Sequence, residues 1–166
     1  MAKQFYKVTE WEWSKRRLEE ISEANWFDRY QHINLPQRKT RLSAGYDFNA
    51  PFNFILGPYE AITIPTGIKV ELEAGQFLAM LPRSGMGFKY FFRLANTMGV
   101  IDADYFGNYD NEGHIFIKIR NEGDKTLSIT RGDAIAQGII LSHTIIDGDT
   151  YDHGRDREGG LGSTGE

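Results

Sequence analysis

At 166 residues the chain has room for one domain, or one domain with an extension, and for a sizeable core. Its 40% hydrophobic and 25% charged residues read as globular and soluble; no run of about 18 apolar residues predicts a membrane helix, and the opening MAKQFYKVTEWEW lacks the apolar core of a signal peptide, so a cytoplasmic protein is expected. The absence of cysteine excludes disulfides, thiolate nucleophiles and cysteine-bound zinc, and a formal net charge of -4 gives no general pull toward nucleic acid while leaving room for a local basic pocket.

Residues 9–26, TEWEWSKRRLEEISEANW, are predicted to be helical. Thr9 and Glu12 have capping-box spacing, Trp11, Leu18 and Ile21 form a thin apolar stripe, and Arg16 can pair with Glu20. The helix shows no chemistry, and its expected role is to pack on a body or a protein partner. From about residue 29 the pattern is all-β. AITIPTGIKVEL places Ile62, Ile64, Ile68, Val70 and Leu72 on even positions and reads as one half-buried strand. QFLAML is a short apolar strand. HIFIKIRN alternates Ile115, Ile117 and Ile119 with His114, Phe116, Lys118 and Arg120. KTLSI and AIAQGIIL add two strands around a turn at Arg131–Asp133. Short strands with glycine-rich punctuation predict a sandwich or barrel. His114 and His143 have no ligand-like spacing and read as ordinary strand residues.

In GVIDADYFGN, Asp102 and Asp104 stand two residues apart on an expected strand, with Tyr105 and a glycine turn following. Asp and Gly also mark plain turns, so this segment by itself is weak. The tail changes character. In GGLGSTG the glycines let backbone N–H groups approach an anion and Ser163 and Thr164 add hydroxyls, the chemistry of a phosphate cradle without Walker spacing or its lysine.

SAGYD (43–47), PRSGMG (82–87), GVIDADYFGN (99–108), RGDAIAQ (131–137) and GGLGSTG (159–165) stand in order. Together they resemble the five motifs of the trimeric deoxyuridine triphosphate nucleotidohydrolases, the dUTPases, over roughly four-fifths of the chain. The resemblance implies a mainly β, jelly-roll-like subunit of the β-clip type, assembled as a homotrimer in which each site draws its hairpin from one subunit, its phosphate loops from a second and its tail from a third. Its parts are an N-terminal segment at 1–28, a β-rich domain at 29–147 and a flexible C-terminal arm at 148–166 that closes over the site.

The same resemblance assigns roles. Asp102 orients and deprotonates the attacking water. Gly99, Val100 and Ile101 belong to a β-hairpin that reads uracil, Asn96 helps order that pocket, and the Tyr105 ring packs under the deoxyribose, where it excludes a 2′-hydroxyl. Arg83, Ser84, Gly85 and Met86 form a phosphate loop, and Gln137 contacts phosphate. Asp133 shapes its turn, and Asp104 has a structural turn role. Mg²⁺ is the implied cofactor, bridging the phosphates of dUTP and keeping waters for most other ligands, with Asp47 near its water shell or the sugar-side pocket. Arg157, Leu161, Gly162, Ser163 and Thr164 supply the tail's contacts.

Two departures from the family pattern matter. The usual tail has Arg, two residues, then Gly-Gly-Phe; here one residue separates Arg157 from Gly159 and three separate Arg155 from it, so either arginine can reach phosphate, with Arg157 preferred. The stacking Phe is replaced by Leu161, which covers a ring less well. The aromatic run GFKYFF offers a substitute lid, Tyr90 first, then Phe88 and Phe91; filling a trimer core is the other use of these rings. A dCTP deaminase, or its bifunctional relative, shares the resemblance, but Lys118 stands where its proton-shuttling glutamate belongs. A nucleotide-sensing module that grips a protein partner through the N-terminal helix is the reading from another class.

Overall fold

Period-two sequence becomes strand wherever glycine does not interrupt it. In the computed structural model, which describes residues 3–15 and 26–149, the segment expected as one strand divides into β4 (Ala61–Pro65) and β5 (Ile68–Glu71). The break is Gly67, whose φ of 72° is open to glycine and costly for other residues. Around these lie β1 (Gln4–Lys7), β2 (Tyr46–Asn49), β3 (Phe54–Leu56), β6 (Gln76–Leu81), β7 (Phe92–Leu94), β8 (Gly99–Asp102), β9 (Phe116–Asn121), β10 (Leu127–Ile129) and β11 (Ala134–Ser142). All paired strands are antiparallel: β2-β11-β6-β8, β4-β9-β7, β1-β5 and β10-β3. Their inner faces share one core built on Phe48, Ile64, Leu78, Phe92 and Ile135, a mainly β, jelly-roll-like architecture. The isoleucine alternation holds at Ile115, Ile117 and Ile119, all buried. Each contributes about 2–3 kcal/mol of transfer free energy.

The N-terminal segment differs from its expectation in three ways. It contributes a strand, β1, which pairs with β5 from Gln4↔Glu71 to Lys7↔Ile68. Helix appears at α1 (Glu10–Lys15) and again at α2 (Trp26–Gln31), which runs past the expected start of the β region; Arg16, Leu18, Glu20 and Ile21 lie outside the described residues. The Thr9 cap is present, its hydroxyl accepting the Glu12 N–H at 3.2 Å. The inward face of α1 is the other one, however: Trp11 is 71% exposed, while Trp13 is buried and donates Nε1–H to the Trp26 carbonyl at 2.9 Å. The cause is the anchoring of Thr9. Both its backbone N–H (3.1 Å) and its hydroxyl bond to the Glu112 carboxylate, which sets the rotation of the first turn.

Candidate active site

The four-stranded sheet brings three distant motifs to one end. Register places Gln137 of β11 opposite Asp47 of β2 on one side and Leu81 of β6 on the other, so their side chains share a face. Arg83 follows two residues after Leu81 and its Nε lies 3.1 Å from Asp47 Oδ1. Gln137 Nε2 donates to the Pro82 carbonyl at 3.1 Å. Gly45 makes room for this row: a Cβ there would stand 2.5 Å from Gln137 Oε1. The second Asp47 oxygen, Oδ2, is buried and accepts no hydrogen bond from the described residues. It is an acceptor to which water on a hydrated cation can donate. Among the described residues no group of three or more His, Asp or Glu converges as a metal cage, so a cation here would rest chiefly on phosphate and water.

The segment expected as a phosphate loop is a short helix, α3 (Ser84–Tyr90), entered from an extended Arg83 and ended by Phe91 in the left-handed region at φ 52°. Ser84 and Gly85 are exposed, and Met86 packs against the core. The helix separates the candidate lid aromatics. Tyr90 lines a groove with Lys39, Arg83, Gly85 and Lys89 on the side facing the 126–134 turn. Phe88 and Phe91 line a second groove with Ser84 and Thr97. Lys39 and Lys89 thus join Arg83 as groove cations that sequence reasoning missed; only their charge, in QRKTR and GFKYFF, signalled them. At Asp133 the turn role is visible: its carboxylate accepts the Thr130 N–H at 2.8 Å.

The third motif is a strand followed by a 3-10 turn, not a simple hairpin. β8 pairs with β6 and ends at Asp102, and residues Ala103–Tyr105 coil at once, so Asp104 sits exposed in the turn and off the strand. Gly99 lies opposite Met80, where a Cβ would be 3.1 Å from that of Met80, and Asn96 is beside it. Val100 is exposed and Ile101 is partly buried. Tyr105 is 5% exposed. Its hydroxyl donates to the His114 carbonyl at 3.2 Å and accepts from Asn111 Nδ2 at 2.8 Å. His114, expected as an ordinary strand residue, is fully buried against Glu12 of α1, with His114 Nδ1 3.1 Å from Glu12 Oε1. Nothing in the sequence singles out this pair.

The two halves of the motif set stand apart within one subunit. Asp102 pairs with Phe77, six residues before Arg83 along β6 and its exit, an extended span of at most roughly 20 Å at about 3.3 Å per residue. Arg155, Arg157, Leu161, Gly162, Ser163 and Thr164 lie outside the described residues.

An antiparallel β subunit with an Asp–Arg–Gln row at one sheet end and an Asp–Tyr turn at the other has the layout of a nucleotide-binding jelly roll. The dUTPase family model matches residues 31–165, and the chain belongs to that family. It is 43% identical over 133 residues to the deoxyuridine 5′-triphosphate nucleotidohydrolase of Lactococcus lactis, covering 80% of this chain and 89% of the relative. The Tolumonas auensis enzyme of the same name is 36% identical over 140 residues, covering 79% and 87%. Among solved structures, the dUTPase of Streptococcus mutans superposes with a TM-score of 0.66 at 29% identity, covering 87% of this chain and 98% of that one. A dUTPase from phage phi11 of S. aureus, described as coordinating a structural Mg(II) ion, shares the fold at TM-score 0.63 and 20% identity, covering 89% and 94%.

Proposed function

We propose that this chain hydrolyses dUTP to dUMP and diphosphate. The observation that carries the reading is the convergence of Asp47, Arg83 and Gln137, from three separate motifs, at one end of a sheet in a dUTPase-family fold. Asp102 accepts a proton from a water that attacks the α-phosphorus in line, and diphosphate leaves. Arg83, Ser84, Gln137 and Arg157 donate to the phosphate oxygens on which charge develops. Gly99, Val100 and Ile101 present backbone groups to uracil beside Asn96, and Tyr105 abuts the deoxyribose. Leu161, Gly162, Ser163 and Thr164 close over the nucleotide, and Tyr90, on the cationic groove, is the candidate ring lid. Mg²⁺, when bound, neutralises phosphate charge, and the buried Asp47 Oδ2 suits a contact through its water.

The placement of Asp102 and Arg83 toward opposite ends of β6 supports a site shared between subunits. In that arrangement, which the family resemblance implies, the turn of one copy meets the phosphate row of another within a homotrimer. A deaminase gains no support: Lys118 is exposed on β9 and no carboxylate takes its place. The deciding experiment measures diphosphate release from dUTP, dTTP, dCTP and UTP with Mg²⁺. Turnover confined to dUTP is expected; equal turnover of all four would sink the reading, and ammonia release from dCTP would favour the deaminase.

A further inference from the structure

The N-terminal segment carries a buried Glu–His pair that the chemistry above does not use. Glu12 and His114 are both 0% exposed, on elements 102 residues apart in sequence. The His114 ring is held on both edges. Nε2 accepts the Gly67 N–H at 2.8 Å, so the ring proton sits on Nδ1 and points at Glu12 Oε1. Trp13 flanks the ring, and Phe116 lies 4.4 Å from it, centroid to centroid. The backbone of this same histidine anchors Tyr105: its carbonyl accepts the Tyr105 hydroxyl, and its N–H donates to the Asn111 carbonyl at 2.9 Å, while the Asn111 side chain donates to that hydroxyl. A second tie runs in parallel, because Thr9 grips Glu112, which also pairs with Lys69 at 2.8 Å. Two adjacent points of the arm, Thr9 and Glu12, therefore hold both ends of the short segment that fixes the tyrosine hydroxyl.

We propose that Glu12, acting through His114, is a positioning residue for Tyr105, so that the N-terminal arm sets how strictly the site requires a deoxyribose. A buried carboxylate facing a histidine is costly to keep unless the pair does something a packed apolar residue would not. Here it locks one ring orientation, and through the His114 backbone it locks the height of the tyrosine ring. The inference rests on Tyr105 meeting the sugar.

The test compares kcat and KM for dUTP and UTP in the unmodified 166-residue chain and in Glu12→Gln, Tyr105→Leu and Tyr6→Phe, with Tm and assembly mass recorded for each. Glu12→Gln keeps volume and one acceptor but loses the charge that holds the Nδ1 proton. It is expected to raise the KM for dUTP and to lower the dUTP-to-UTP ratio of kcat/KM by on the order of tenfold, with the saturated rate for dUTP little changed. Tyr6→Phe removes another hydrogen bond of the same arm, to Glu71 at 3.0 Å, and should leave that ratio alone whatever it does to Tm. Tyr105→Leu examines the underlying reading by removing the ring while keeping apolar bulk. If it relaxes discrimination while Glu12→Gln, assembled and folded, does not, the positioning role is wrong and the reading of Tyr105 stands. If Tyr105→Leu leaves discrimination intact, both fall. If Glu12→Gln does not fold, the ring nitrogen shifts of His114 in the unmodified protein decide: a proton on Nδ1 whose exchange slows on dUTP binding supports the link, and a proton on Nε2 overturns it.

Discussion

Gly113→Ala is the sharpest test of the loop that carries Tyr105. Gly113 has φ +82°, and a methyl group there would overlap the Tyr105 carbonyl oxygen and stand 3.0 Å from Phe106 Cα and 3.1 Å from the Tyr105 carbonyl carbon. Two costs follow. The left-handed backbone costs about 1–2 kcal/mol for a residue with a Cβ. Forcing an atom into packed backbone costs about 1–3 kcal/mol more, because peptide groups cannot swing aside as side chains do. The same loop contains its own control. Gly107 has φ +76° but nothing within 4 Å of a Cβ, so Gly107→Ala meets the first cost alone. Guanidinium unfolding at one protein concentration should therefore show Gly107→Ala about 1–2 kcal/mol less stable than the parent, and Gly113→Ala about 2–5 kcal/mol less stable. Any surviving Gly113→Ala protein should also bind dUTP less tightly, since the atom that must move belongs to Tyr105. Equal stability of the two variants would refute the packing described for this loop.

Asp102→Asn keeps the shape and removes the base, so turnover should fall by about two to four powers of ten while dUTP binding, measured by calorimetry, persists. Co-refolding Asp102→Asn with Arg83→Ala subunits in equal amounts should restore about a quarter of the parental activity, because each site draws one residue from each of two copies; no recovery would place the whole site within one subunit. Burial works against the charge of Glu112, but hydrogen bonds from Lys69 and Thr9 and the Lys69 ammonium outweigh it, and the carboxyl is held below its ordinary value of 4.5. A folded value below the unfolded one means that this contribution is present above 4.5 and lost as pH falls through the folded value, so the Tm difference between the parent and Glu112→Gln should shrink as pH drops below 4.5. A chain ending at Asp152 should keep its Tm and assembly mass yet lose most dUTP turnover; full activity would remove the tail from the site.

What could be read in advance follows from which forces leave a local mark. The alternation at Ile115, Ile117 and Ile119 survives because one buried face demands it, and all three are in the core. The Thr9 cap survives because it is a contact over three residues. Trp11 and Trp13 were beyond local reasoning, since both suit an amphipathic helix and the choice between them depends on Glu112, a hundred residues away. The division at Gly67 was masked by apolar residues on even positions at both sides of it. The motifs located Asp47, Arg83 and Gln137, and the sheet register explains why they meet. Glu12 and His114 carried no such pattern, because a buried hydrogen-bonded pair between distant segments is written in neither one.

β1 has a consequence beyond the site. It occupies the hydrogen-bonding edge of β5 over four residue pairs, and Phe5 and Val8 beside it are part of the core. Val8 continues the contact by donating its N–H to the Gly67 carbonyl at 3.0 Å. A shortened version beginning after this segment would leave Ile68–Glu71 with an open row of amides and carbonyls flanked by newly wetted apolar surface. Such an edge is a template for a strand from another molecule. The residues of β1 thus cover that edge of β5 and the apolar surface beside it, with a strand that lies outside the residues by which its family is recognised.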